Sequence, residues 1–201
     1  MGVPILTVFR LHTRQVFAGV LVCFATFVLF YLMTVFALSW GTTALHYDRS
    51  SFLVMQLIGV LFFAGTIPLS AWLAERGRRH VMFGVTVLIA IFGLFVERLF
   101  TAGLTGALVM MIIGLALMGV TYGPLGTVVS ELFPTSVRYT GSSLAFSTAG
   151  ILGASLAPYI ASWLATKYGL AYVGYYLTAS AVITFMGLLL IRETRSEDLN
   201  F

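Results

Sequence analysis

The sequence predicts an all-α membrane protein, with six transmembrane helices arranged as an inverted 3+3 repeat. Composition, the spacing of apolar runs and one repeated motif predict it. Of 201 residues, 60% are hydrophobic and 9% charged, against about a quarter charged in soluble domains, and mean hydropathy is +1.02. Apolar runs extend from Val16 to Trp40, Phe52 to Ala74, Val81 to Phe100, Gly106 to Val129, Gly141 to Ala165 and Leu170 to Ile191. Each matches the ~20 residues a helix needs to cross ~30 Å of hydrocarbon. The second run ends Pro68-Leu-Ser-Ala-Trp72-Leu73-Ala74 and the fifth Pro158-Tyr-Ile-Ala-Ser-Trp163-Leu164-Ala165, so Trp-Leu-Ala recurs after a proline, 91 positions on. The same offset carries the first run onto the fourth and the third onto the sixth. Three is an odd number, so the copies enter the membrane with opposite topology.

The runs should be helices, because a non-helical spanning segment leaves backbone polar groups unpaired in lipid, and barrel strands alternate where these runs do not. No charged side chain lies inside them except Glu97 and Arg98, near the end of the third. Arg10, Arg14, Arg76, Arg78, Arg79, Arg138, Arg192 and Arg195 fall on one side; Arg49, Arg98 and Lys167 fall on the other. The positive-inside bias places both termini in the cytoplasm. Short juxtamembrane turns that orient the chain and meet anionic lipid account for the net charge of +4, so membrane lipid is an expected partner and nucleic acid is not. The first apolar run is too long for a signal peptide. Cys23 has no second cysteine to pair with. His12, His46 and His80 share no helix face, and neither a zinc-protease motif, a nucleophile elbow nor a phosphate loop occurs. An enzyme, a metal site and a cofactor are therefore not expected.

Two connections carry most of the remaining chemistry. The second reads Leu73-Ala-Glu75-Arg76-Gly77-Arg78-Arg79-His80. Its plainer reading is a positive-inside anchor. The functional reading gives Gly77 a turn conformation closed to other residues, while Arg78 and Arg79 clamp carboxylates or helix carbonyls. The fourth reads Gly123-Pro124-Leu-Gly126, then Glu131-Leu-Phe-Pro134-Thr-Ser-Val-Arg138-Tyr-Thr-Gly141. Pro134 interrupts any helix, so Glu131 and Arg138 should approach each other or the arginines of the second connection. An exposed pair of this kind is worth ~0–1 kcal/mol, which suits a contact that must break reversibly.

The Gly-Pro-Leu-Gly and Glu-Leu-Phe-Pro-Thr-Ser-Val-Arg-Tyr-Thr-Gly runs resemble the connection between the tenth and eleventh helices of the major facilitator superfamily. The likeness is nearest to its metabolite:proton symporters, which include carriers of shikimate, α-ketoglutarate and proline/betaine. Ile151-Leu-Gly-Ala-Ser-Leu-Ala-Pro158-Tyr-Ile-Ala, the tail Arg192-Glu193-Thr194-Arg195 and Phe30-Tyr31-Leu-Met-Thr-Val are similar to the same family, so the resemblance covers roughly Val3 to Glu197. It implies the C-terminal six-helix half of a twelve-helix, proton-coupled carrier of a small organic acid or zwitterion in a bacterial inner membrane. The partner would be an N-terminal half or a second copy. The family's turn after the eighth helix usually reads Asp-Arg-x-Gly-Arg-Arg; here it is one residue shorter, with Glu75 for Asp. A cytoplasmic gate of Glu75, Arg78, Arg79, Glu131 and Arg138 follows from the resemblance. The alternative is a truncated or remnant membrane subunit with no transport of its own.

Polar residues inside the runs follow helix faces. Phe27, Tyr31 and Thr34 share one, Met118 and Tyr122 another, and Ser143, Ser147, Gly150 and Ala154 a third; Gln56 lies near the outer end of the second run. Tyr31, Thr34, Gln56, Tyr122 and Ser147 are the candidate substrate-pathway residues, and helix packing is the plainer role for the small ones. Gly119-x-x-x-Gly123 and Ala149-x-x-x-Gly153 read as packing pairs. Proton coupling needs a titrating group in the membrane. None stands at mid-membrane here, so a proton site is expected in the other half.

Overall fold

The computed structural model describes residues 10–75 and 77–191. Arg76, Met1 to Phe9 and the tail from Arg192, with its Arg192-Glu193-Thr194-Arg195 run, lie outside that range. The described regular elements are all helical: α1 (Thr13–Thr43), α2 (Arg49–Ala74), α3 (Arg78–Gly93), α4 (Val96–Thr101), α5 (Gly103–Ser130), α6 (Arg138–Tyr168) and α7 (Ala171–Leu189). Five of them, α1, α2, α5, α6 and α7, are long and apolar enough to cross a membrane. Asp48 caps α2 by accepting the Ser51 N–H at 2.8 Å, and that bond holds its carboxyl below the ordinary value of 3.8. Pro134 keeps the stretch between α5 and α6 non-helical, as its missing N–H requires.

The third apolar run is divided into α3 and α4, with a break at Leu94 and Phe95. A tertiary hydrogen bond meets the chain at this level. Thr178 of α7 donates its hydroxyl to the Ala90 carbonyl at 2.9 Å, the acceptor that the Leu94 N–H would use in a continuous helix. Leu94 N–H turns instead to Ile91 O at 3.1 Å, and Phe95 N–H to Phe92 O at 2.9 Å, which tightens the chain into a 3₁₀-like turn. At the same level Gly93 and Gly174 bring the two backbones together. A Cβ on Gly93 would lie 2.7 Å from the Gly174 carbonyl oxygen.

Packing follows the two-fold relation of an inverted repeat. α2 lies along α5, and α6 along α1; α3 and α4 pack on α5 as α7 packs on α1, and α3 meets its counterpart α7. Glycine sets the close approaches, where backbone contact replaces side-chain interdigitation. A Cβ at Gly119 would strike the Thr66 hydroxyl, one at Gly123 the Ser70 hydroxyl, and one at Gly153 the side chain of Phe27. Thr66 also donates to Ala116 O at 3.0 Å and Ser70 to Gly119 O at 3.3 Å. Both small-residue pairs read from the sequence are thus packing positions.

The buried side chains form two clusters stacked along the bundle. One gathers Leu29, Met33, Phe52, Phe92, Phe100, Met111 and Leu115. The other gathers Cys23, Met82, Leu125, Val129, Phe133 and Leu188 near the arginine-rich connections. At the opposite end Tyr47 donates its hydroxyl to Phe100 O at 2.7 Å, and its ring lies 6.3 Å from those of Phe52 and Phe100. This ties the α1–α2 connection to α4.

Candidate functional site

The arginine-rich end is built from the α2–α3 and α5–α6 connections. Arg78 opens α3 and Glu131 follows α5, and their side chains form an ion pair through Arg78 Nη1 and Glu131 Oε1. The side chains are 47% and 34% exposed. Water screens such a pair, so it contributes ~0–1 kcal/mol. Arg79 takes a different path: its guanidinium carbon lies 5.2 Å from the centroid of Phe83, a cation–π contact. Its buried Nε has no hydrogen-bond partner among the described residues. Arg138, at the start of α6, donates from Nε to the Phe133 carbonyl at 3.3 Å, pinning the turn that returns the chain to the membrane. Glu75 is exposed and forms no ion pair among the described residues.

The sequence therefore anticipated the approach of Glu131 to the second connection, while Arg138 binds a carbonyl instead of a carboxylate. The expectation for Gly77 needs correction. Its φ of 162° is extended backbone open to any residue. An added Cβ would come within 2.9 Å of His80 Nδ1, on an exposed side chain that can turn aside.

The pathway candidates divide among three places. Tyr31 and Thr34 flank or enter a π-helical turn of α1, Leu32–Phe36. Such turns insert one residue into the helix, leave a carbonyl without its i+4 partner and recur at functional sites. Gln56 of α2 meets this turn, donating from Nε2 to Met33 O at 2.9 Å and Thr34 O at 2.8 Å. Thr34 donates its own hydroxyl to Phe30 O at 2.7 Å. With their hydrogens engaged inside the protein, Gln56 Oε1 and Thr34 Oγ1 are left as hydrogen-bond acceptors. Tyr122 of α5 is 44% exposed with its ring edge on Phe63 of α2. Ser147 is exposed on α6, next to Phe146, whose ring packs edge-on against Phe27 of α1. The structure joins Thr34 and Gln56 directly and leaves Tyr122 and Ser147 on separate helices.

α6 has its own π-helical turn, Leu152–Leu156, beginning just after Ile151 and ending before Pro158. Sequence reading missed both wide turns. Pro158, just beyond the second, is a signal for it, since a proline ring cannot fit against the preceding turn of a regular helix. The first has no local signal, only the tertiary partner Gln56. Among the described residues no group of His, Cys, Asp or Glu could hold a metal ion.

Comparison with known proteins places this arrangement. The family model for the Major Facilitator Superfamily matches residues 23–201. The chain is 43% identical over 204 residues to the inner membrane metabolite transport protein YhjE of Escherichia coli, covering 98% of this chain and 46% of that protein. It is 34% identical to a putative metabolite transport protein of Haemophilus influenzae, covering 99% of this chain and 48% of the relative, and 32% identical to a citrate-proton symporter of Salmonella typhi, covering 78% and 37%. No solved structure matches the chain. The chain spans about half the length of the curated relatives it matches. These matches and the apolar helical bundle make it a membrane protein of a transport family and not an enzyme: the chain belongs to the Major Facilitator Superfamily, among its metabolite:proton symporters.

Proposed function

We propose that the chain is the C-terminal six-helix half of a secondary carrier that moves a small organic acid or zwitterion across a bacterial inner membrane, with both termini cytoplasmic. The observation that carries this reading is the 43% identity to a metabolite transport protein along 98% of the chain. The geometry supports it in two ways. The Arg78–Glu131 pair links the α2–α3 and α5–α6 connections through a contact weak enough to open in each cycle. The π-helical turn of α1 with Thr34 and Gln56 presents hydrogen-bond acceptors inside the apolar bundle, where a polar metabolite can be held. In this reading α3 and α4 together form one broken span; residues 78–101 reach about 36 Å at 1.5 Å per residue, enough to cross. No Asp, Glu or His stands at mid-membrane in this chain, so the coupling proton is carried by the other half.

The test joins this chain to the first six helices of the Escherichia coli relative and measures metabolite uptake in cells. Glu131→Ala and Arg138→Ala should each slow uptake several-fold at undiminished surface expression, and exchanging the charges of Arg78 and Glu131 should recover part of the Glu131→Ala loss. Unchanged uptake in both alanine variants would remove the latch from the mechanism. No uptake by the parent would favour a remnant subunit.

A further inference from the structure

The wide turn of α6 lacks the donor that its counterpart in α1 has. In α1, Thr34 donates its hydroxyl back to Phe30 O, and one nitrogen, Gln56 Nε2, bonds both Met33 O and Thr34 O, the second and third carbonyls of the turn Leu32–Phe36. In α6, Ser155 likewise donates its hydroxyl back to Ile151 O at 2.7 Å. No side chain among the described residues donates to the second and third carbonyls of the turn Leu152–Leu156, those of Gly153 and Ala154. Pro158 has no N–H, so Ala154 O has also lost the i+4 main-chain donor of a regular helix. The two turns are neighbours: that of α6 packs on the Thr13–Tyr31 part of α1, and that of α1 on the Ala157–Tyr168 part of α6.

Position and chemistry identify what the α6 turn takes. Ala154 stands at the middle of the 31 residues of α6, and both Ala154 and Ser155 are exposed. Main-chain oxygens without helical donors do not face lipid at that depth; they are covered by protein or line a polar cavity. With its hydrogen on Ile151 O, Ser155 Oγ is an acceptor too, and α6 carries no Lys, Arg, His, Asp or Glu between Arg138 and Lys167. This surface therefore offers acceptors alone. It repels a carboxylate and suits a protonated amine, whose N–H groups make charge-assisted bonds to such oxygens, much as unwound carbonyls hold cations at the midplane of secondary transporters. The α1 turn shows the geometry inside the same molecule, one nitrogen serving two carbonyls. Given the carrier function proposed above, we infer that the Ala154 carbonyl and Ser155 Oγ form the subsite for an ammonium group of the transported molecule, which is therefore an amino-bearing zwitterion and not a plain organic acid.

The test follows thermal unfolding of the full chain in nanodiscs with three probes built on one ring: cyclopentylamine, cyclopentanecarboxylate and 1-aminocyclopentanecarboxylate, which carries both groups. The two amines should stabilise the chain and the plain acid should not. Ser155→Ala removes one acceptor, and Pro158→Ala gives Ala154 O a helical N–H; each should raise the amine concentration for half-maximal stabilisation about tenfold. Pro68→Ala, the same exchange in α2, should leave it unchanged. Equal stabilisation by the acid, no stabilisation by any probe, or an unaltered response in Ser155→Ala overturns the assignment. Ser155 is exposed, so its variant decides the question even if Pro158→Ala folds poorly. The measurement is repeated on the chain joined to the first six helices of the Escherichia coli relative. Loss of the amine response there would mean that a side chain of that half fills the turn, which also overturns the assignment. A joined protein that carries no metabolite would instead remove the carrier reading and leave the ammonium subsite standing.

Discussion

Gln56 illustrates how one side chain can hold an irregular backbone in place. Its Nε2 is bonded to both Met33 O and Thr34 O, two carbonyls in a turn where regular i+4 pairing is interrupted. Replacement by Leu preserves the size and leaves both oxygens facing an apolar neighbour. Interhelical hydrogen bonds in membranes average ~0.6 kcal/mol and reach ~1.7, so Gln56→Leu should cost about 1–2 kcal/mol in reversible unfolding from lipid micelles. If stability is unchanged, the wide turn is set by packing alone. The sequence marked Gln56 as a polar residue within a span, but its partners are main-chain atoms of another helix. No periodicity read along one helix could name them. Arg78 and Glu131 were more legible, because a charge in a short membrane-edge connection has few neighbours and opposite signs attract across that small set.

At the scale of the helices, legibility followed the range of the interaction that decides each feature. The long runs, their ends and the glycine pairs are written locally, in apolar length, in Asp48 and Pro134, and in residues small enough for backbones to touch. The division of the third span is not local. The stretch from Val81 to Phe100 holds no proline, and Gly84 and Gly93 are its only glycines, so its own residues favour a continuous helix. What meets the break is Thr178 of another helix, whose hydroxyl takes the Ala90 carbonyl. Removing that hydroxyl should let Leu94 N–H return to Ala90 O and carry α3 forward. Thr178→Val therefore should cost only about 0.6 kcal/mol, since a replacement bond is at hand. Amide exchange at Leu94 should slow as the turn becomes regular helix; faster exchange would show that the break is intrinsic to residues 90–95.

For the molecule as a whole, the inverted repeat was visible because one offset united a motif with the hydropathy pattern, and the packing of α2 on α5 and α6 on α1 repeats it in space. What the sequence could not supply was the covering of the outer surface. Leu57, Leu61, Phe62 and Trp72 of α2 and Ile151, Tyr159 and Trp163 of α6 are all exposed, and lipid-facing and protein-facing apolar side chains look alike in composition because lipid tails are as apolar as leucine. If a second copy covers part of this surface, native mass spectrometry from nanodiscs should show twice 21.9 kDa. A mass of 21.9 kDa would direct attention to a separate N-terminal half.

The bond between Thr178 and Ala90 also has a history in time, because the two residues are 88 positions apart. At roughly 5–20 residues per second of synthesis, the ribosome needs roughly 4–18 s after making Ala90 before Thr178 exists. Throughout that interval α3 and α4 have neither the Thr178 hydroxyl nor the Gly174 backbone that seats against Gly93. The contacts that flank the break can form only after α7 has been made and has docked, so the joint between α3 and α4 is finished late in the synthesis of this bundle.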